Sequence, residues 1–175
     1  MAAETAHTRR LRSDFGKIQA LLERAGQVLA LESSTGDPPA RYVLRYRCKS
    51  LERIEDGQAI WRSEHRVAIQ IPSGYPLEPP AVRMLTPIYH PHVFASGNVC
   101  LGSRWLVGEG LDNLVVRIGA ILRFEPAYLD FKSPANLEAA HWASAHLAEF
   151  PLEPDTMGAP PGAEPPRSVT WTDAG

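Results

Sequence analysis

From Thr8 to about Arg24 the apolar residues Leu11, Phe15, Ile18 and Leu22 recur at helical spacing behind a threonine cap, which predicts an amphipathic first helix. Its other side carries Arg9, Arg10, Arg12 and Lys17. A solvated face is the ordinary reading of such a charge run; the functional one is a docking surface for an acidic partner. GQVLALES predicts a first strand, and after the turn-forming TGDPPA the alternation of RYVLRYRCKSL predicts a second. Tyr42, Leu44, Tyr46 and Cys48 share one face of it, while Arg41, Arg45, Arg47 and Lys49 share the other with Val43. A turn around EDGQ leads to EHRVAIQI, a third strand with Val67, Ile69 and Ile71 inward. AVRMLT reads as a short fourth strand after PSGYPLEPP, whose prolines remove the donors regular structure needs. These four strands are expected to form an antiparallel meander.

Between Pro87 and Gly110 the apolar residues follow neither period, and long structured loops of this kind usually carry function. A helix is expected from about Leu111 to Phe124, with Leu114, Ile118, Ile121 and Leu122 on its apolar side. Another is expected from about Asn136 to Leu147, after the helix-starting SPAN. Past Phe150 the chain is rich in Pro, Gly and small residues. The organisation expected is therefore one domain over residues 1–150 and a disordered, Pro-rich tail over 151–175.

Composition narrows the classes. With 175 residues, 44% hydrophobic and 22% charged, the chain has globular proportions, and a formal net charge of -2 gives no overall attraction for nucleic acid or an anionic membrane. No apolar run reaches bilayer-spanning length, and MAAETAHTRRLRSDF lacks the apolar stretch of a secretory signal, so a cytoplasmic location is expected. Two cysteines make no disulfide framework, and each must be packing, metal ligand or chemistry.

Cys48 alternates inward with an apolar set, as a small hydrophobe does. Cys100 sits instead in YHPHVFASGNVCLG, where Gly97 and Gly102 let the backbone turn tightly and Asn98, His90, His92 and Arg104 are polar groups at hand. A nucleophilic thiol must be accessible and partly ionised, and its free pKa of about 8.5 calls for nearby donors or positive charge. On these residues alone, a packed thiol and a working one are balanced. Zinc is a third reading, since His90, His92 and Cys100 are all competent ligands, but no fourth ligand stands at familiar spacing and no metal is expected.

The order of helix, meander, cysteine-bearing loop and two helices resembles the ubiquitin-conjugating enzyme fold, an α+β architecture. The likeness spans about residues 8 to 148 and is most specific from Ile71 to Trp105. YPLEPPAVRMLTPIYHP resembles the family's Tyr-Pro, Pro-Pro, strand and His-Pro run, GNVCLG its active-cysteine segment, and SPANLEAA the stretch ahead of its third helix. The resemblance implies that Cys100 receives the C-terminal glycine of a ubiquitin-like protein from an activating enzyme, holds it as a thioester, and passes it to an amine, usually a lysine, on a protein target. It implies no metal or small-molecule cofactor, because ATP is used earlier, by the activating enzyme. The same resemblance puts activating-enzyme docking on the first helix, at Arg9, Arg10, Arg12 and Lys17.

Departures from the family pattern carry information too. His92 stands where the family has an asparagine that supports the loop and the oxyanion; a neutral imidazole offers one N–H donor in its place, and it also packs or takes a proton. Asn98, in the turn before the cysteine, is a second candidate. Where many members orient the incoming lysine with an acidic residue, this chain has Ser133, with Asp130 nearby. LVGEG replaces the Ser-Pro-Ala loop offered to RING-type ligases, and Ile71 replaces an aromatic residue, so an ordinary RING ligase surface is not expected. This minimal form is similar to conjugating-enzyme-like proteins of bacterial antiviral operons. The alternative is a binding module of the same fold that holds a ubiquitin-like protein without catalysis.

Overall fold

The computed structural model describes residues 3–101, 105–150 and Met157. Thr5 opens the first helix by accepting from the Thr8 N–H at 3.1 Å, and α1 runs over Ala6–Ala25 until Gly26, at φ 55°, turns the chain out of it. Leu11, Ile18 and Leu21 are buried along its inner face, and so is Asp14. The Gly26 cap sets the first strand slightly later than the alternation predicts: β1 spans Leu29–Gly36. It pairs antiparallel with β2, Pro39–Tyr46, whose Tyr42, Leu44 and Tyr46 all lie in the core.

At this point the structure departs from a simple meander. After Tyr46 the chain leaves the sheet and forms a separate two-stranded hairpin, β3 (Ser50–Glu55) with β4 (Gln58–Arg62). Asp56 and Gly57 close it, both at positive φ, as a two-residue turn matched to the strand twist requires. The hairpin buries Leu51 against a second apolar cluster containing Phe124, Ala143 and Phe150, with Trp61 edge-on to Phe150 at 5.5 Å. The four-strand expectation thus holds for the main sheet, in the order β1-β2-β5-β6, with β5 at His65–Gln70 and β6 at Ala81–Met84, but the chain has six strands among the described residues. Val67, Ile69, Ile71, Val82 and Met84 complete the sheet's buried side.

The other helices are α2, Leu111–Leu122, and α3, Leu137–Ala145, capped by Asn136, which accepts from the Ala139 N–H at 3.0 Å. α2 packs beside α1 on the inner face of the sheet and is buried nearly all round. Its core contacts include Met157, buried to 1% exposure, whose methyl group lies so close to Gly119 that a Cβ there would collide with it. The rest of the expected tail, 151–156 and 158–175, lies outside the described residues.

Candidate active site

Three consecutive residues, His90, Pro91 and His92, tie the irregular segment to its surroundings. His90 is fully buried. Its Nε2–H donates to the carbonyl of Ile121 at the end of α2 (2.9 Å), and its Nδ1 accepts from the His92 N–H (3.0 Å). Both nitrogens are thereby used within the protein, and burial pushes the ring's pKa down to about 3, so it stays neutral and offers no lone pair to zinc. The Pro91 carbonyl accepts from the N–H groups of Ala135 (2.8 Å) and Asn136 (3.0 Å), anchoring the start of α3. The His92 carbonyl accepts from the Cys100 N–H at 2.7 Å, and its Nε2 accepts from the Asp130 N–H at 2.9 Å. An apolar residue at 92 would leave that amide unmatched.

The turn leading to the cysteine is built from backbone bonds. Gly97, at φ 85°, packs where a Cβ would lie 3.0 Å from the Met84 carbonyl, and its own carbonyl accepts from the Met84 N–H. Val99 donates to Val82. The loop is therefore laid along β6, and Cys100 emerges at its end with intermediate exposure. Cys48, by contrast, is buried at 5% exposure.

Cys100 opens into a cavity of about 380 Å³. His92, Asp130 and Ser133 line the same cavity, so the fold brings four of the five candidate site residues together across the 42 positions from His92 to Ser133. Asn98 is the exception: it is exposed in the turn, where its N–H donates to Ser96 Oγ and its carbonyl accepts from Phe94, and it is absent from the lining. Gly102 and Arg104 lie outside the described residues. Asp130 accepts from the Lys132 N–H at 2.8 Å, which fixes the carboxylate near the cavity mouth. Apolar groups of Ile121 and Leu129 form part of the wall and thin the water that would otherwise screen charge there.

One wall residue and its ion-pair partner behind it escaped the sequence reading. Arg117, 8% exposed, lines the cavity and pairs with Glu109 at 3.2 Å. Burial pushes the Glu109 carboxyl up and the Arg117 guanidinium partly offsets that. A lone cation within the apolar run VVRIGAIL was the available signal, because a buried charge needs a reason.

The basic face of α1 is divided. Arg9 and Arg12 are exposed beside Glu4, and Lys17 is exposed. Arg10 turns inward: it donates to Asp14 (2.7 Å), to the Tyr75 hydroxyl (3.1 Å), and to the carbonyls of Val107 and Glu109. It braces the segment before α2 and is not part of the free basic surface. Tyr75 also donates to Asp14, and burial followed by that carboxylate holds its phenol well above the usual range. Beyond this brace Leu106 and Val107, from LVGEG, are exposed.

Among the described residues no helix is long and apolar enough to cross a membrane. Comparison with known proteins agrees with the geometry. Residues 57–152 match the family model of the ubiquitin-conjugating enzyme. Ubiquitin-conjugating enzyme E2 2 of Debaryomyces hansenii is 32% identical over 88 residues, 49% of this chain and 50% of that protein. Ubiquitin-conjugating enzyme E2 T of Bos taurus is 50% identical over 57 residues, 33% of this chain and 29% of that one. The chain thus spans about half the length, or less, of these curated relatives. A solved ubiquitin conjugating enzyme of Trypanosoma cruzi superposes with a TM-score of 0.60 at 18% identity, covering 86% of this chain and 96% of its own. S. cerevisiae Ubc12 does so at 0.63 and 20% identity, over 85% of this chain and 77% of its own. At that identity the likeness is one of fold, and it matches the helix, antiparallel sheet and C-terminal helices described above. With the matching family model covering more than half of its length, the chain belongs to the ubiquitin-conjugating enzyme family.

Proposed function

We propose that this chain is a conjugating transferase for a ubiquitin-like protein, working through a thioester on Cys100. The observation that carries the reading is one cavity shared by a part-exposed thiol, His92, Asp130 and Ser133. In the first step the Cys100 sulfur attacks the thioester carbonyl of the modifier on its activating enzyme. A carbon–sulfur bond forms to Cys100, the one to the activating enzyme breaks, and the proton of Cys100 ends on the departing thiol. In the second, a target amine attacks the same carbon, a C–N bond forms, and Cys100 leaves as thiolate while the nitrogen gives up a proton. Only this second step joins a developing oxyanion to a neutral amine, so it asks more of the cavity.

Asp130 and Ser133, which both line the cavity, are the candidates to orient the incoming amine in this reading. Arg9, Arg12 and Lys17 form the surface for the activating enzyme, mainly by raising the encounter rate. A RING-type ligase is not required. A place in bacterial antiviral defence is part of this proposal, supported by the similarity of the minimal form to conjugating-enzyme-like proteins of bacterial antiviral operons.

Incubation with the modifier, its activating enzyme and ATP tests the reading. A band of higher mass that a thiol reductant removes is expected from the wild type and from Cys48→Ala, and not from Cys100→Ala. Normal charging by Cys100→Ala overturns it, and tight modifier binding without any charging assigns the non-catalytic binding module instead.

A further inference from the structure

Arg117 stands in the wall of the Cys100 cavity, on a helix whose other residues there, Leu114, Val115, Ile118, Ile121 and Leu122, are all apolar and buried. Ile121, one turn further along α2, lines the same cavity, so this edge of the helix faces it. The guanidinium is itself nearly buried, and Glu109 holds it from behind at 3.2 Å. A buried ion pair adds little to stability beyond what apolar residues of the same volume would give, because desolvation offsets the attraction. Packing alone does not ask for the charge. Among the described lining residues Arg117 is the one guanidinium and Asp130 the one carboxylate, the first sunk in the wall and the second exposed at the mouth. Leu101, Ala127 and Leu129 add apolar surface, beside which a charge is felt more strongly than in water.

Resting on the Cys100 thioester reading, we infer that the Arg117 guanidinium stabilises the negative charge that appears on the thioester oxygen when an amine attacks. The nitrogen lone pair forms a C–N bond to the carbonyl carbon and the C=O π pair moves onto oxygen, so the adduct carries a negative oxygen and a positive nitrogen together. As the oxygen pair returns to restore the carbonyl, the C–S bond breaks, its electron pair leaves on the Cys100 sulfur, and water at the mouth takes the proton from nitrogen. The two charges of the adduct match the two on the wall. Oxygen faces inward to Arg117, and nitrogen faces outward to Asp130. His92 does not fill the same role from Nε2, since that nitrogen accepts from the Asp130 N–H at 2.9 Å. A carboxylate beside the reacting carbonyl would by itself oppose the developing oxyanion, and a fixed cation on the inner wall offsets it.

The experiment charges the full-length protein at Cys100, stops activation, and follows discharge of the thioester to lysine and to hydroxylamine, an amine already unprotonated at neutral pH. Arg117→Met with Glu109→Met removes both charges of the pair, and circular dichroism checks its fold. If it is unfolded, Arg117→Gln with Glu109→Gln, which keeps a hydrogen bond without the charges, takes its place. The double variant should discharge on the order of a hundredfold more slowly to both amines alike, with charging reduced by less. Arg117→Lys keeps the cation and should retain most of the rate. Glu109→Gln breaks the ion pair but keeps the cation, and it should discharge at the wild-type rate or faster. Near-wild-type discharge by the double variant overturns the inference. A slow Glu109→Gln overturns it as well, because pairing and not charge then sets the rate. So does a loss confined to lysine, which makes Arg117 a brace for the amine-receiving wall, and so does a folded double variant that cannot be charged, which places the residue in loading. Failure of the wild type to charge at all is a separate result: it rejects the Cys100 thioester reading, and this inference falls with it.

Discussion

The backbone N–H of Asp130 donates to Nε2 of His92 at 2.9 Å, so one of the two ring nitrogens is used as an acceptor within the fold. With Nε2 accepting, a neutral ring carries its proton on Nδ1. His92 thus joins the loop that bears Cys100 to the one that bears Asp130 and Ser133. His92→Ala should charge at close to the wild-type rate yet discharge to free lysine on the order of a hundredfold more slowly, because the amine-receiving wall loses its register. His92→Asn, whose side-chain oxygen can accept the same N–H, should recover part of the rate. A single-turnover chase of pre-formed thioester makes the comparison; wild-type discharge by His92→Ala removes the role.

The Arg117–Glu109 pair is nearly buried on both sides, at 10% and 12% side-chain exposure. Removing one partner strands the other. Arg117→Met should cost about 3 kcal/mol of unfolding free energy in urea titration, whereas Arg117→Met with Glu109→Met should restore most of it. Simple addition of the two single losses would show that the pair is uncoupled.

His90 gives the fold a pH dependence of known sign. Its folded pKa, about 3, lies below the ordinary value of 6.5, so between those limits the unfolded chain binds a proton that the folded chain refuses. Stability from this residue is complete above about pH 6.5 and declines by about 1.4 kcal/mol per pH unit as pH falls toward 3. His65, buried and likewise shifted down, acts in the same direction. Urea unfolding at several values between pH 7 and pH 5 should show the slope, and His90→Gln should flatten it by about one proton.

Met157 lies beyond the expected domain boundary at residue 150 and is nonetheless buried against α2 at Gly119. Met157→Ala should lower the unfolding free energy by about 2 kcal/mol or more, the usual cost of deleting a buried methionine side chain. Wild-type stability in that variant, measured in urea, would show that the Met157 contact adds nothing to the fold.

Much of the main sheet was legible because one of its faces is buried and the other wet, and such a strand writes its register into strict alternation. The loop cysteine was legible for a related reason: Cys48 falls inside that alternation and Cys100 outside any period. The β3–β4 hairpin was not. From Tyr46 through Lys49 the polar and apolar residues go on alternating while the chain leaves one sheet for another, and alternation records which face a residue takes but not which strand it pairs with.

Arg10 and Arg117 mark the same limit. By spacing, Arg10 belongs with Arg9 and Arg12, yet it turns inward because Asp14, Tyr75 and two carbonyls near residue 108 offer it more hydrogen bonds than water does in that corner. Those carbonyls lie 97 and 99 residues away in sequence. The sequence by itself determined the helices, the inward faces of the strands and the thiol displayed by a shaped loop, since each rests on neighbours within a few positions. Only the tertiary structure decided which charges are buried and paired, and that Nε2 of His92 accepts from Asp130, since those depend on contacts between segments that local patterning does not encode.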